Sequence, residues 1–219
     1  MEDTNGAHNG THTERLAETI YARLRQDILF GVYEPSSKLK MDALRERYEA
    51  SINTIREALA RLVAEGFVVA EGQRGFTIAP VSSDELRDIT ETRILLETQA
   101  VRLSLANADL EWEGLVMSAH YKLAKVEDLA NKSHAKHRAE LEQYDSEFHR
   151  ALISGCRSPW MAHFHREVYD HTLRYRSLTH RSVGRGDVAL MLQRSQRDHV
   201  AIRDAAPGPQ RRRAGGVVA

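Results

Sequence analysis

A change of period inside one chain sets the tightest limit on its fold. Between Phe67 and Ala79 two short runs, FVVAE and GFTIA, are β-branched and aromatic, and the GQRG between them suits a tight turn. Ahead of this hairpin Ile55, Leu59, Leu62 and Val63 form an apolar stripe over Ile52 to Glu65, and Gly66 is placed to end that helix. Leu16, Ile20, Leu24 and Ile28 predict an earlier helix that stops at Gly31. YEPSSK then reads as a loop, and Met41 to Tyr48 as a short helix. The expected order over residues 14–80 is helix, helix, helix, hairpin.

After Pro80 the pattern changes for good. Ser82 and Glu85 form a capping box, and from there to about residue 204 the spacing is helical throughout, with breaks at 107–109, 155–159 and 183–187. This predicts a second, all-α domain of five or six helices over 81–206. The fold class is therefore mainly α, with an N-terminal winged helix-turn-helix and a C-terminal helical bundle. Residues 1–13 read as a flexible polar leader. APGPQRRRAGGVVA, with two prolines and a glycine pair, predicts an irregular tail over 207–219, read as the product of a frame shift after Ala205.

Composition narrows the function classes. Lys plus Arg and Asp plus Glu both number 31, which argues against a purely electrostatic polyanion binder but leaves room for a local basic face. The single cysteine, Cys156, rules out an internal disulfide framework and fits a reducing cytoplasm. No apolar run is long enough to span a membrane, and the N-terminus has no signal-peptide pattern.

Two helices joined by a short turn, the second opening on small polar residues, form a helix-turn-helix whose second helix suits the DNA major groove. The hairpin is then the wing that grips the backbone beside it. The string TIREALARLVAEGFVVAEGQRGFTIAPVSSDEL closely resembles the end of the DNA-binding module of GntR-type bacterial repressors. That resemblance covers residues 15–80 and implies that Arg56 contacts DNA from the recognition helix, with Arg74 and Gly75 in the wing. Ile52 stands where many relatives carry an arginine, and Asp42 where a basic residue is common. Asn53, Thr54 and Lys40 are the candidates to supply the missing readout. With 10 Lys or Arg against 9 Asp or Glu between Arg15 and Ile78, binding must rest on placement rather than excess charge.

In the second domain, eight of 11 histidines fall between His134 and His199, most expected on solvated faces. YDSEFHR sets Asp145 and His149 one helical turn apart, where a carboxylate and an imidazole can share one divalent ion. The all-α FCD domain of FadR-like regulators carries a similar D-x-x-F-H pattern. This resemblance implies a metal, Zn²⁺ foremost, held by Asp145, His149 and His199 beneath a small carboxylate effector. It also implies one further histidine downstream, where this sequence has none. ETRILLE makes Arg93 a candidate carboxylate clamp, with Arg174 and Arg176 next; simple pairing of Arg93 with Glu97 is the equally open alternative. KLKMDALRERY with LRYR resembles the CsiR-like regulators of dicarboxylate catabolism, which implies an effector such as glutarate.

The expected protein is a homodimeric, cytoplasmic, DNA-binding repressor released by an organic acid, and not an enzyme. Two alternatives stand beside it: a metal-dependent hydrolase using Asp145, His149 and His199, and a regulator that has lost effector sensing.

Overall fold

The computed structural model describes residues 6–182 and 184–206, and the expected tail at 207–219 lies outside them. The chain divides into two compact units. The first runs to Leu86 and includes Leu173–Leu178; the second comprises Arg87–Thr172 and the chain from Thr179 onward. The first unit thus extends past the expected boundary at residue 80 and takes in a short stretch distant in sequence.

In the first unit, α1 (Gly6–Leu29), α2 (Met41–Tyr48) and α3 (Ile52–Ala64) enclose a core of Ile20, Leu24, Ile28, Ile55, Leu59 and Leu62. These are the residues whose four-residue spacing marks one helical face, and burying that face is what stabilises short helices. α1 begins at Gly6, so residues 6–13, expected as a flexible leader, are helical. No proline interrupts that segment, and adding turns to a helix already anchored by its core costs little. Gly66, at φ 78°, closes α3 in the left-handed conformation that ends helices.

The wing has one strand more than expected. β2 (Val68–Ala70) and β3 (Phe76–Ile78) pair as the hairpin, and β1 (Lys38–Leu39) adds to the other edge of β3 in the order β1-β3-β2. Lys38 faces Thr77 and Leu39 faces Phe76. Two residues are too few to show a period of two, which is why the sequence shows only the loop YEPSSK and no strand here.

Ion pairs lock the three helices together. Arg25 Nε lies 2.7 Å from Glu65 Oε2. Tyr48 Oη donates to Asp27 Oδ2 at 2.7 Å, and Arg47 Nη2 reaches the same oxygen at 2.8 Å. Between α2 and α3 the exposed Glu49 occupies the left-handed region at φ 52°, ψ 43°. A side chain there is strained by about 1 kcal/mol, so Glu49→Gly is expected to raise stability by about 0.5–1 kcal/mol in denaturant unfolding followed by circular dichroism. A loss of stability would show that the Glu49 side chain is itself stabilising.

Ser82 caps α4 (Ser83–Ala106) as expected, accepting the Glu85 N–H at 3.1 Å. The reciprocal half of the capping box takes a different form. Tyr175 Oη accepts the Ser82 N–H at 3.1 Å and donates to Glu85, bridging the two.

The second unit is helical among its described residues: the rest of α4, α5 (Leu110–Lys132), α6 (His134–Ile153), most of α7 (Pro159–Ser182) and α8 (Arg185–Ala205). Asp109 caps α5 by accepting the Trp112 N–H at 2.8 Å. α5 and α6 pack along their length around Leu123, Phe148 and Leu152. The break between them is the single residue Ser133, and NKSH, without proline or glycine, gave no sequence signal for it.

Candidate metal centre and nucleic-acid interface

The helical unit gathers one cluster from all five of its helices. Asp145 and His149 lie one turn apart on α6, and His199 reaches them from α8. One ligand atom from each falls within 4.8 Å of the others, and all three residues are buried. His199 Nε2 is 3.2 Å and His149 Nε2 is 3.8 Å from Asp145 Oδ1. Two imidazole nitrogens and a carboxylate oxygen converging at that separation are a donor set for Zn²⁺ or a similar divalent ion.

Around this trio stand groups that sequence reasoning missed. Glu97 of α4 accepts from His149 Nδ1, and Glu127 of α5 lies 2.7 Å from His199 Nδ1. Tyr169 of α7 donates to Asp145 Oδ2. His165, expected on a solvated face, is buried with Nε2 3.6 Å from Glu97 Oε2. A signal for Glu127 was present: with His120 it sits among Val116, Leu123, Val126 and Ala130 on the buried stripe of α5, where a charged residue needs a reason. Tyr169 had no such mark.

The electrostatics suit a cation. Glu97, Asp145 and Glu127 place three carboxylates in a largely buried cluster, which is costly unless positive charge accompanies them. Burial raises the Glu97 carboxyl, but the hydrogen bond from His149 and the neighbouring His165 and Arg93 outweigh it and hold the group well below the usual carboxylate range. Burial lowers the His199 imidazole, yet hydrogen bonds to Asp145 and Glu127 prevail and hold it up at about 9. In the metal-free protein the imidazolium of His199 thus supplies part of the positive charge that an ion would bring.

Of the expected effector arginines, Arg93 joins the cluster. Its Nε lies 3.1 Å from Glu97 Oε2, and its guanidinium stacks 4.7 Å over the Tyr169 ring. The pairing with Glu97 that competed with the clamp reading is therefore present. Arg174 is corrected: it belongs to the first unit, where its buried guanidinium donates to the carbonyl of Ala79 at the end of the wing. Arg176 is half-buried in the same stretch of that unit.

At the first unit's recognition helix, Asn53 and Arg56 are exposed three residues apart on one face of α3. Thr54 is corrected. It is 5% exposed, its hydroxyl lies 2.9 Å from Ser51 Oγ and its N–H donates to the same oxygen at 3.2 Å. Ser51 is the cap, and Thr54, the third residue after it, faces the core instead of a groove. Lys40 is exposed at the start of α2, and Arg74 is exposed at the wing turn. Gly75, at φ 98°, permits that turn, and Lys38 Cε passes 4.0 Å from where a side chain on Gly75 would begin. Lys38 is the cation that sequence reasoning passed over, because β1 was read as loop.

Comparison with known proteins agrees with both halves. Residues 16–78 match the model for bacterial regulatory proteins of the gntR family, and residues 88–215 match the FCD domain. The chain belongs to the gntR family. It is a DNA-binding transcriptional regulator with an FCD effector domain, and its relatives are regulators, not enzymes, which removes the hydrolase alternative. It is 38% identical over 193 residues to the HTH-type transcriptional regulator BphR of Paraburkholderia xenovorans, covering 87% of this chain and 76% of that one. It is 35% identical over 156 residues to the HTH-type transcriptional repressor GlaR of Escherichia coli, covering 71% and 70%. The solved structure of Escherichia coli McbR/YncC shares the fold at 21% identity, with a TM-score of 0.64 over 81% of each chain.

Proposed function

We propose that this regulator is a repressor whose grip on its operator is released when a small carboxylate binds beside a divalent ion held by Asp145, His149 and His199. The observation that carries this reading is Arg93, which sits within the cluster and touches it by two routes: through Glu97 to His149, and over Tyr169, which holds Asp145. A carboxylate entering at Arg93 would compete with Glu97 for the guanidinium and so act on the ligands directly. The similarity to GlaR, a repressor by name, supports the direction of control. The KLKMDALRERY and LRYR strings support a dicarboxylate such as glutarate.

DNA binding is assigned to Asn53 and Arg56 on the recognition helix, to Lys40 at the start of α2 and to Arg74 and Gly75 in the wing. Regulators of this family usually act as dimers, and a homodimer would read an inverted repeat. Exposed apolar residues such as Trp160, 71% exposed and stacked on Phe164, supply surface for a protein contact. No helix among the described residues is long and apolar enough to cross a membrane, and a regulator that reads DNA works in the cytoplasm.

The test is an operator selected from random duplexes and titrated by fluorescence anisotropy. Arg56→Ala is expected to weaken binding to that operator by about 1–3 kcal/mol, with little change on unrelated DNA. Arg74→Ala is expected to weaken all sequences alike and to lower the salt slope by about one unit. Unchanged operator affinity for the Arg56 variant would remove it from the recognition surface. Glutarate is expected to release the operator from the metal-loaded protein. Failure of a panel of small mono- and dicarboxylates to do so would favour a regulator without effector sensing.

A further inference from the structure

Each candidate histidine ligand touches a carboxylate with the nitrogen that does not face Asp145. His149 meets Glu97 of α4, and His199 meets Glu127 of α5 at 2.7 Å. The arrangement is the same on both sides, although the glutamates come from different helices and neither forms part of the D-x-x-x-H motif. An imidazole has two nitrogens, and a carboxylate on Nδ1 fixes the proton there. Nε2 is then the nitrogen that gives up or lacks a proton when an ion binds, and the ring is held in one orientation.

Glu127 makes the case most plainly. It is 4% exposed, and its second oxygen, Oε2, is buried without a hydrogen-bond partner among the described residues. A carboxylate serving only to hold helices together would be expected to use both oxygens, since a buried unpaired one costs stability. Glu97 is shared among His149, Arg93 and His165, whereas the hydrogen bond of Glu127 goes to His199.

We infer that Glu127 and Glu97 are positioning residues for the proposed metal centre, keeping the proton on Nδ1 of His199 and His149 so that Nε2 of both rings faces Asp145 and is the atom offered to an ion. The assignment rests on the proposed metal site. It explains how three ligands from two helices stay aligned: the rings are oriented before an ion arrives. It also separates the two glutamates. Glu127 acts on His199 alone, whereas Glu97 answers in addition to whatever binds Arg93.

The experiment uses the full chain, with zinc affinity measured by competition against a chromophoric chelator and coordination followed by the visible absorption of the cobalt-substituted protein. Glu127→Leu is expected to bind zinc about 10–100-fold more weakly than the wild type and to change the cobalt spectrum. Glu127→Gln, whose amide oxygen still accepts from Nδ1, is expected to lose about 3–10-fold and to keep the wild-type spectrum. If Glu127→Leu fails to fold, the glutamine variant decides: a loss of threefold or more supports the assignment, and equality with the wild type overturns it. Wild-type zinc affinity and spectrum in both variants would overturn the positioning role while leaving the metal site standing. A wild-type chain that binds neither zinc nor cobalt would overturn both.

Discussion

Replacing His149 with alanine is expected to take the protein from one bound divalent ion per chain to none, measured by elemental analysis after gel filtration. The trio offers three donors within 4.8 Å. Removing one leaves Asp145 and His199, and two donors with water do not hold a first-row ion against dilution on a column. His149 is also the candidate ligand tied through Glu97 to Arg93, so its loss cuts one of the two routes from the proposed carboxylate site to the metal. A second readout follows by linkage. An ion present at 100 times its dissociation constant stabilises the wild type by about 2.7 kcal/mol, and the same addition should leave the variant unchanged. Unaltered stoichiometry in His149→Ala would put any bound metal elsewhere.

The limits of α2 and the Gly66 stop were legible because each was signalled twice, by apolar spacing and by a stop or a turn. Elements with a single signal or none escaped. β1 is too short for a period, and Ser133 divides α5 from α6 without a breaker residue. The helical start at Gly6 lies in a polar stretch that composition favours as coil.

At the candidate metal centre the motif picked out the candidate ligands but not the groups that surround them. Asp145 and His149 are neighbours on one helix, and spacing alone can bring them together. His199 needed the family resemblance, since nothing local links α8 to α6. Glu97 and Glu127 are distant in sequence from the histidines they hold, 52 and 72 residues away. Those pairings exist only once α4 has packed on α6 and α5 on α8. Thr54 illustrates the converse: its place at the start of the recognition helix suggested a base contact, but the third position after the cap residue faces Ser51 and the core.

Phe148→Ala is expected to destabilise the helical unit by about 3–5 kcal/mol, the cost of emptying a buried phenylalanine site that cannot collapse. Phe148 is 0% exposed and packs with Leu123 and Leu152. Its ring also meets three imidazoles edge-on, with centroids 5.5 Å from His120, 5.8 Å from His149 and 5.4 Å from His199. It therefore serves both as core and as a wall against which both candidate ligand rings rest, so the same substitution should weaken metal binding. Against a typical total of about 5–15 kcal/mol, the loss is a large share. The unit carries its own reporters, because both tryptophans, the buried Trp112 and the exposed Trp160, belong to it. Urea unfolding followed by their fluorescence should show the midpoint falling sharply for Phe148→Ala and less for Phe148→Leu, which keeps much of the volume. A loss below about 1 kcal/mol for the alanine variant would mean that the site collapses readily and that Phe148 does not hold the imidazoles in place.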